Sequence, residues 1–183
     1  MNKQELEVQL RPICRDDAVV LMELNNNKQI ADFVVGNPQV VTLEQQLRWM
    51  DRIQHETNTV RRMIVCNGVA VGTIIISSID EANATGNMNI KMLPAYQGRG
   101  IGKRALLDAC NFAFDELNLF CLTANILPYN TASCMLFQKV GFHKDGVLRS
   151  RVIKHGERFD LITLSLLKPE RMCEKDAYTG NRQ

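Results

Sequence analysis

A glycine-rich segment in the second half of the sequence places the strongest constraint on the fold. Residues 96–102 read YQGRGIG and lie between an apolar strand pattern and a long run with helical periodicity. Such a turn leaves the first amides of the helix without intrahelical acceptors and directs them, with the positive end of the helix dipole, at whatever lies in the turn. The segment therefore predicts a strand–turn–helix unit with an anion site at the turn.

Two common phosphate-binding motifs do not fit this segment. A Walker A loop requires Ser or Thr after Gly-Lys, whereas Gly102-Lys103 is followed by Arg104. A dinucleotide-binding GxGxxG motif that starts at Gly98 would require Gly at position 103, where Lys stands. The spacing that remains is Gln97-x-x-Gly100-x-Gly102.

The distribution of charge points to the same loop. The chain has 183 residues and a net charge of only +2, which argues against DNA or an anionic membrane as the partner. Residues 82–107, however, contain no acid, and their cations are Lys91, Arg99, Lys103 and Arg104. We therefore expect these side chains to gather around one loop and to favour a small polyphosphate ligand.

The cysteines and the apolar runs indicate a cytoplasmic protein. None of the six cysteines has CxxC spacing or a nearby His, so the sequence predicts reduced thiols and no metal site. The N-terminus lacks the apolar region of a signal peptide. The most apolar stretch, residues 69–79, is too short to span a bilayer.

The order of periodic segments predicts one mixed α/β domain at 6–168, followed by a polar tail at 169–183. The predicted strands are 6–11, 60–66, 69–79, 87–93, 119–126, 146–153 and 158–167. A first helix begins near Asp17, and a second follows a Thr42/Gln45 capping box with an apolar face of Leu43, Leu47, Met50 and Ile53. A third helix follows the glycine loop, and a fourth at 130–140 ends at Gly141. Residues 26–41 are expected to be irregular.

Two motifs at a suitable separation carry a resemblance to a known family. Gln97-x-x-Gly100-x-Gly102 resembles the pyrophosphate-binding signature [Gln/Arg]-x-x-Gly-x-[Gly/Ala] of the GNAT superfamily of acyl-CoA N-acyltransferases. Residues 125–150, NILPYNTASCMLFQKVGFHKDGVLRS, are similar to its pattern of a strand, Asn-x-x-[Ser/Ala], a short helix and Lys-x-Gly-Phe. The resemblance covers 6–168 and is greatest to the ribosomal-protein N-terminal alanine acetyltransferases, with spermidine and amino-sugar acetyltransferases nearby.

The resemblance implies a fold and a cofactor. The expected fold is a central, mostly antiparallel twisted sheet, splayed at the acetyl-CoA site and flanked by helices. The backbone of Met92 and Leu93 would pair with the pantetheine arm, and Asn130 would hydrogen-bond the pantetheine or its thiol end. Asn130 can equally be an ordinary helix N-cap, and the two roles are compatible. The pyrophosphate would be held by the amides of Gln97, Gly98, Arg99, Gly100, Ile101, Gly102 and Lys103.

The resemblance also raises the question of the proton donor. Attack of a neutral amine on the thioester needs a base for the amine and a group that protonates the leaving thiolate. Many family members use a Tyr at the position where this chain has Phe137. Ser133, three residues after Asn130, is predicted as the donor instead, and its alternative role is a bond to its own helix amides. A base is not identified: a water, a substrate carboxylate or a distant group is open, and Glu23, His155 and Asp160 are expected to be surface residues.

The predicted activity is direct acetyl transfer from acetyl-CoA to a primary amine, with a protein or peptide N-terminus as the expected acceptor. The alternative acceptors are small amines, namely a polyamine, an amino sugar or an aminoglycoside. Asp32 is the only acid at residues 25–38, the loop expected to meet the acceptor, and this disfavours a polyamine. A CoA-binding module without catalysis is the hypothesis from another class. The sequence does not predict an oligomeric state.

Overall fold

A seven-stranded sheet forms the centre of the protein, and its strands follow the order β1-β2-β3-β4-β5-β7-β6. The computed structural model describes residues 6–36 and 39–171. The strands are β1 Val8–Pro12, β2 Val60–Cys66, β3 Val69–Asp80, β4 Thr85–Met92, β5 Cys121–Ile126, β6 His143–Lys154 and β7 Glu157–Leu167. The helices are α1 Ala18–Asn26, α2 Lys28–Phe33, α3 Leu43–Ile53, α4 Ile101–Asp115 and α5 Thr131–Gln138.

The sheet opens at its centre, between β4 and β5. All neighbouring strands are antiparallel except this pair, which is parallel. The pairing joins Thr85 to Cys121 and ends where Asn87 meets Thr123. Residues 88–92 and 124–126 are therefore unpaired with each other, and we call the space between them the gap. The predicted sheet, mixed α/β, mostly antiparallel and splayed, is confirmed.

Two dipeptides with left-handed backbone close hairpins between strands that the sequence predicts. Asn67 and Gly68, with φ of 49° and 80°, join β2 to β3. His155 and Gly156, with φ of 51° and 83°, join β6 to β7. Positive φ at both central residues matches the twist of antiparallel strands, which is why such short turns suit the pairs that they join.

The helices cover the two faces of the sheet unequally. Helix α4 buries its apolar side against one face, together with α5, and forms the main core there. Helices α1 and α3 pack on the opposite face around a smaller cluster that includes Leu21, Met50 and Met63. The gap therefore has an α4 face and an α1 face.

Helix α2 contradicts the expected irregular segment. Residues 28–33 are helical, and the Asn27 side chain caps them by accepting from the amide of Ile30 at 3.2 Å. Six residues are too few to show an amphipathic period, and so short a helix is stabilised by tertiary contacts rather than by its own propensity. The prediction for residues 26–41 was therefore wrong at 28–33.

Helix α3 has the predicted beginning but a different buried face. Gln45 N donates to Thr42 Oγ1 at 3.2 Å, and Thr42 N donates to Gln45 Oε1 at 2.8 Å, which confirms the capping box. Leu43, predicted on the apolar face, is exposed, whereas Gln46 is buried. Gln46 is buried because it meets a polar side chain of α1, as described below.

The structure bears on the expected absence of a membrane span and of a metal site only within the described residues. Among them, no helix is long and apolar enough to cross a membrane, and no group of His, Cys, Asp or Glu could hold a metal ion. The cysteines at 14, 66, 110, 121 and 134 are free. Most of the predicted tail, residues 172–183 with Cys173, lies outside the described residues; Lys168–Glu170 form a 3-10 turn.

Candidate active site

The glycine turn lies directly beyond the end of β4, beside the gap. Gly98 and Gly100 have φ of 70° and 85°, and a Cβ on either would meet no atom within 4 Å. Gly100 is the N-cap of α4 and has no side chain to bond the helix amides. The first backbone bond of the helix runs from Arg104 N to Gly100 O at 3.2 Å, so the amides of Ile101 and Gly102 have no acceptor within the helix. This open turn fits an anion such as a pyrophosphate.

Gln97 ties the turn to the strand. Its side-chain Nε2 donates to the carbonyl of Met92 at 2.8 Å. Its backbone amide donates to Pro94 O at 3.1 Å, within a 3-10 turn at Pro94–Tyr96. Gln97 thus lies where the motif predicts, but its own amide is already bonded and its side chain orients the loop.

Of the two residues predicted to pair with a pantetheine arm, Met92 is better placed than Leu93. Leu93 N donates to Val71 O at 2.9 Å, and Leu93 O accepts from Tyr96 N at 3.0 Å. Both backbone groups of Leu93 are therefore engaged away from the gap. Backbone groups of successive strand residues point to opposite edges, so those of Met92 point toward the gap. The Met92 carbonyl already accepts from Gln97 Nε2 and keeps a second lone pair for a ligand.

The cations of the acid-free segment do not all gather at the turn. Arg99 lies 5.9 Å from the centroid of the Tyr96 ring, and Arg104 pairs with Asp108 at 3.2 Å. Lys103 is in the first turn of α4. Lys91 lies on the α1 face, where its Nζ donates to Asn25 Oδ1 at 3.2 Å. The expectation of four cations around one loop was wrong for Lys91, because side chains alternate along β4.

Asn130 joins the two sides of the gap. Its Oδ1 accepts from the amide of Ser133 at 3.1 Å, so the predicted N-cap of α5 is present. Its Nδ2 donates to the carbonyl of Phe33, at the end of α2, at 3.2 Å. The oxygen and the nitrogen of the Asn130 side-chain amide are therefore both hydrogen-bonded in this structure.

The first turn of α5 offers two hydroxyls, those of the exposed Thr131 and of Ser133. Ser133 is half-buried, and its Oγ has no hydrogen-bond partner among the described residues. Phe137 is 2% exposed and packs edge-on to Phe142, with ring centroids 4.9 Å apart. Cys134 packs against the main core, and burial raises the pKa of its thiol. Cys134 is also partly exposed, but it packs against the main core, so Ser133 remains the predicted donor.

A row of polar side chains lines the α1 face of β4, and sequence reasoning missed it. Asn87 Nδ2 donates to Thr123 Oγ1 at 3.2 Å, and Asn89 Nδ2 donates to Asn87 Oδ1 at 2.9 Å. Beyond them, Lys91 bonds Asn25 as described, and Asn25 Nδ2 donates to Gln46 Oε1 at 3.0 Å. The row is detectable from the alternation of polar residues 87, 89 and 91 with apolar residues 88, 90 and 92.

Electrostatics in this row are dominated by a single half-buried cation. Desolvation lowers the pKa of Lys91, whose hydrogen-bond partner Asn25 is neutral. Because the ammonium can only donate, the Asn25 oxygen must face Lys91, and its NH₂ group must face Gln46. This order leaves Gln46 Nε2 buried without a partner among the described residues.

Helix α2 spans the α1 face of the gap. On the β4 side, Ile30 and Leu24 form a buried cluster with Leu93. On the β5 side, Tyr129 Oη donates to the carbonyl of Asp32 at 2.9 Å, next to the bond between Asn130 and Phe33. We call α2 the roof of the gap.

The other titratable residues considered as bases have surface positions or structural bonds. Asp160 Oδ1 accepts from the amide of Ser150 at 2.7 Å, at an irregularity between β6 and β7. His155 Nε2 lies 3.4 Å from Asp32 Oδ1, and both side chains are exposed. Glu23 is exposed on α1.

Comparison with known proteins gives one family match. The family described as "Acetyltransferase (GNAT) domain" matches residues 7–143, about three quarters of the chain. This range includes the glycine turn, the gap, the roof and α5.

The relatives themselves are named for different acceptors. The spermidine N(1)-acetyltransferase of Escherichia coli K12 is 25% identical over 167 residues, covering 91% of this chain and 89% of the relative. The Vibrio cholerae spermidine N(1)-acetyltransferase is 24% identical and covers 92% of this chain and 95% of its own. The putative ribosomal N-acetyltransferase YdaF of Bacillus subtilis is 26% identical, covering 66% of each chain.

A solved structure agrees with the fold. Spermidine N-acetyltransferase from Vibrio cholerae, in complex with CoA and spermine, superposes with a TM-score of 0.83 at 20% identity. The match covers 89% of this chain and 96% of that one. At this identity the likeness establishes the fold alone.

Proposed function

Since the chain belongs to the family of GNAT acetyltransferases, we infer that it transfers the acetyl group of acetyl-CoA to the primary amine of a small molecule, with polyamines as the leading class. Acetyl-CoA-dependent N-acetyl transfer is the chemistry of the family. The small-molecule acceptor is our proposal. It replaces a protein N-terminus as the favoured acceptor, and it sets aside the argument against a polyamine from the single acid at residues 25–38. The reason is coverage: two relatives named for spermidine match 91% and 92% of this chain, whereas the relative named for ribosomal proteins matches 66%.

The observation that carries the proposal is the gap itself, with an open glycine turn at the end of β4 and a helical roof across its α1 face. An acyl carrier that enters from the turn would place its thioester between the strands. An amine would then approach from beneath the roof. A site enclosed by α2 favours a small acceptor over a folded protein.

On the cofactor side, we assign the pyrophosphate to the turn. The amides of Gly98, Arg99, Gly100, Ile101, Gly102 and Lys103 are the proposed donors, and the helix dipole adds favourable charge. Gln97 acts by orienting the turn through Met92 O rather than by offering its amide. The backbone of Met92 is the proposed partner of the pantetheine arm, in the manner of an added strand.

Asn130 has a double role in this arrangement. Its Oδ1 holds the first turn of α5, which positions Ser133. Its Nδ2, now bonded to Phe33 O, is the group that could turn to a pantetheine carbonyl. The acetyl-CoA and acceptor sides therefore meet at this residue.

We propose that the acetyl group moves by direct transfer. The neutral amine attacks the thioester carbonyl carbon, the carbon–sulfur bond breaks, and the amine loses one proton to water held along the polar row. Ser133 Oγ donates a proton to the leaving thiolate and recovers one from solvent. The products are the acetamide and CoA thiol, and no acyl-enzyme forms.

Release of CoA thiol tests the proposal. We expect transfer to spermidine or spermine with a higher kcat/KM than transfer to an amino sugar or to a short peptide with an N-terminal alanine. Faster transfer to the peptide would overturn the small-molecule acceptor. Tight acetyl-CoA binding with no transfer to any of these amines would identify a non-catalytic CoA-binding module.

A further inference from the structure

A lysine ammonium is buried against the C-terminal end of the roof. Lys154 is the last residue of β6 and is 2% exposed. Its Nζ donates to three backbone carbonyls, those of Ala31 at 2.6 Å, Val34 at 2.9 Å and Gly36 at 3.1 Å. An ammonium has three hydrogens, so its donors are fully used.

The three acceptors lie at the end of α2 and in the chain that follows it. The last carbonyls of a helix have no intrahelical donor and carry the negative end of its dipole. A six-residue helix also has little stability of its own. Lys154 supplies the missing donors, and its positive charge complements the dipole, so the ammonium can be buried without a direct carboxylate partner.

The position of α2 gives this contact a consequence for the reaction. The helix contacts Leu93 at the end of β4 through Ile30, and it contacts the β5–α5 loop through Asp32 O and Phe33 O. Lys154 adds a third attachment, from the β6–β7 hairpin. Without it, the C-terminal turn of α2 would keep its two bonds to the β5–α5 loop but would lose all three donors to its other carbonyls.

We propose that Lys154 is a positioning residue for the acceptor amine, because it holds the roof in place over the gap. The inference rests on the proposed function only in that the acceptor must approach beneath α2. Lys154 does not touch the reacting atoms. Its effect is therefore on binding and alignment of the acceptor rather than on the backbone conformation of Gly98 and Gly100.

The test is Lys154→Met, which keeps the length of the side chain and removes its charge and donors. The matched control is Lys168→Met, because Lys168 Nζ also donates to a backbone carbonyl, that of Phe114 at 2.7 Å, but far from the gap. We expect Lys154→Met to raise the acceptor KM about tenfold or more. We expect the acetyl-CoA Kd to be unchanged and Lys168→Met to change neither constant.

A second variant keeps the inference testable if Lys154→Met does not fold. Tyr129→Phe removes the bond to Asp32 O, and we expect a smaller rise in acceptor KM in the same direction. The inference is overturned if neither variant raises the acceptor KM, or if Lys154→Met weakens acetyl-CoA binding as much as acceptor binding. If the wild-type protein acetylates no amine at all, the proposed function fails and this inference fails with it. If the wild-type protein transfers acetyl groups normally but the acceptor KM is unchanged in both variants, this inference alone fails.

Discussion

The gap is built differently on its two sides. At the glycine turn, the groups available to a ligand are backbone amides, set by the left-handed residues Gly98 and Gly100 and by the start of α4. On the α1 face, they are side chains: the amides of Asn87 and Asn89 and the ammonium of Lys91. The turn presents groups that every residue has, whereas the α1 face presents groups particular to this chain.

This difference separates a site suited to a cofactor that a whole family shares from a site suited to one particular acceptor. A backbone cradle tolerates changes of side chain as long as its φ angles are allowed, so it suits a cofactor common to a large family. A row of side chains changes its charge and shape with each substitution, so it suits the choice of an acceptor. Variants on the turn should therefore act on acetyl-CoA, and variants on the α1 face should act on the amine.

The largest effect, on kcat, is expected at Ser133, beside the proposed position of the thioester. Ser133→Ala should lower kcat about 100-fold, because it removes the proposed donor to the thiolate, while the acetyl-CoA Kd stays unchanged. Thr131→Ala is the matched control, since Thr131 is an exposed hydroxyl in the same turn of α5. Steady-state kinetics with both variants checks this. A normal kcat in Ser133→Ala would remove Ser133 from the mechanism.

The second-largest effect, on acetyl-CoA binding, is expected in the glycine turn. Gly100→Ala places a side chain at φ of 85°, and we expect acetyl-CoA binding to weaken by up to about tenfold, as the left-handed penalty dictates. Gly102→Ala is the control, since its Cβ would make an ordinary contact of 3.4 Å with Leu136 Cδ2. Calorimetric titration with acetyl-CoA measures both. Equal weakening by the two variants would mean that backbone conformation is not what matters at Gly100.

The backbone features of the molecule were predictable from the sequence. The turns at Asn67-Gly68 and His155-Gly156, the capping box of α3 and the start of α4 depend on a few neighbouring residues, and the structure contains all of them. The glycine turn belongs to this group, and so does the Asn130 cap. The splay between β4 and β5 came from resemblance to a family, since local pattern does not encode where two strands stop pairing.

The α1 face was not predictable in the same way. Lys154 meets residues about 120 positions earlier in the chain, and Lys91 meets Asn25 from 66 positions away. A sequence pattern treats an isolated Lys as exposed, because burial of a charge is favourable only when distant acceptors surround it. Helix α2 was missed for the same reason, since its stability comes from other elements rather than from its own residues.

A smaller effect should show the specificity of the α1 face. Lys91→Gln removes the positive charge beside the acceptor path, so an acceptor with two ammonium groups should be repelled less. We expect the kcat/KM of a diamine, relative to a monoamine of equal length, to rise about fivefold. The measurement is acetylation of 1,4-diaminobutane against butylamine. Lys139→Gln, an exposed lysine after α5, should not change the ratio. An unchanged ratio in Lys91→Gln would place Lys91 away from the acceptor.

The smallest effect concerns stability, and its sign follows from the burial of Lys91. Burial lowers the pKa of Lys91 from its ordinary value of 10.5, so the folded state binds this proton less tightly than the unfolded chain does. The cost of the buried charge is fully present below the lowered pKa and disappears as the pH rises toward 10.5. Lys91→Met removes this cost.

We therefore expect Lys91→Met to be more stable than the wild-type protein near neutral pH, and we expect its advantage to shrink as the pH is raised. Urea unfolding of both proteins at several pH values measures the difference, and the comparison cancels groups common to both. An advantage that grows with pH would show that the ammonium is stabilised by its surroundings rather than penalised. The Lys91 ammonium would then be compensated before any ligand arrives, unlike the open amides of the turn, and it would not repel the second ammonium of a diamine.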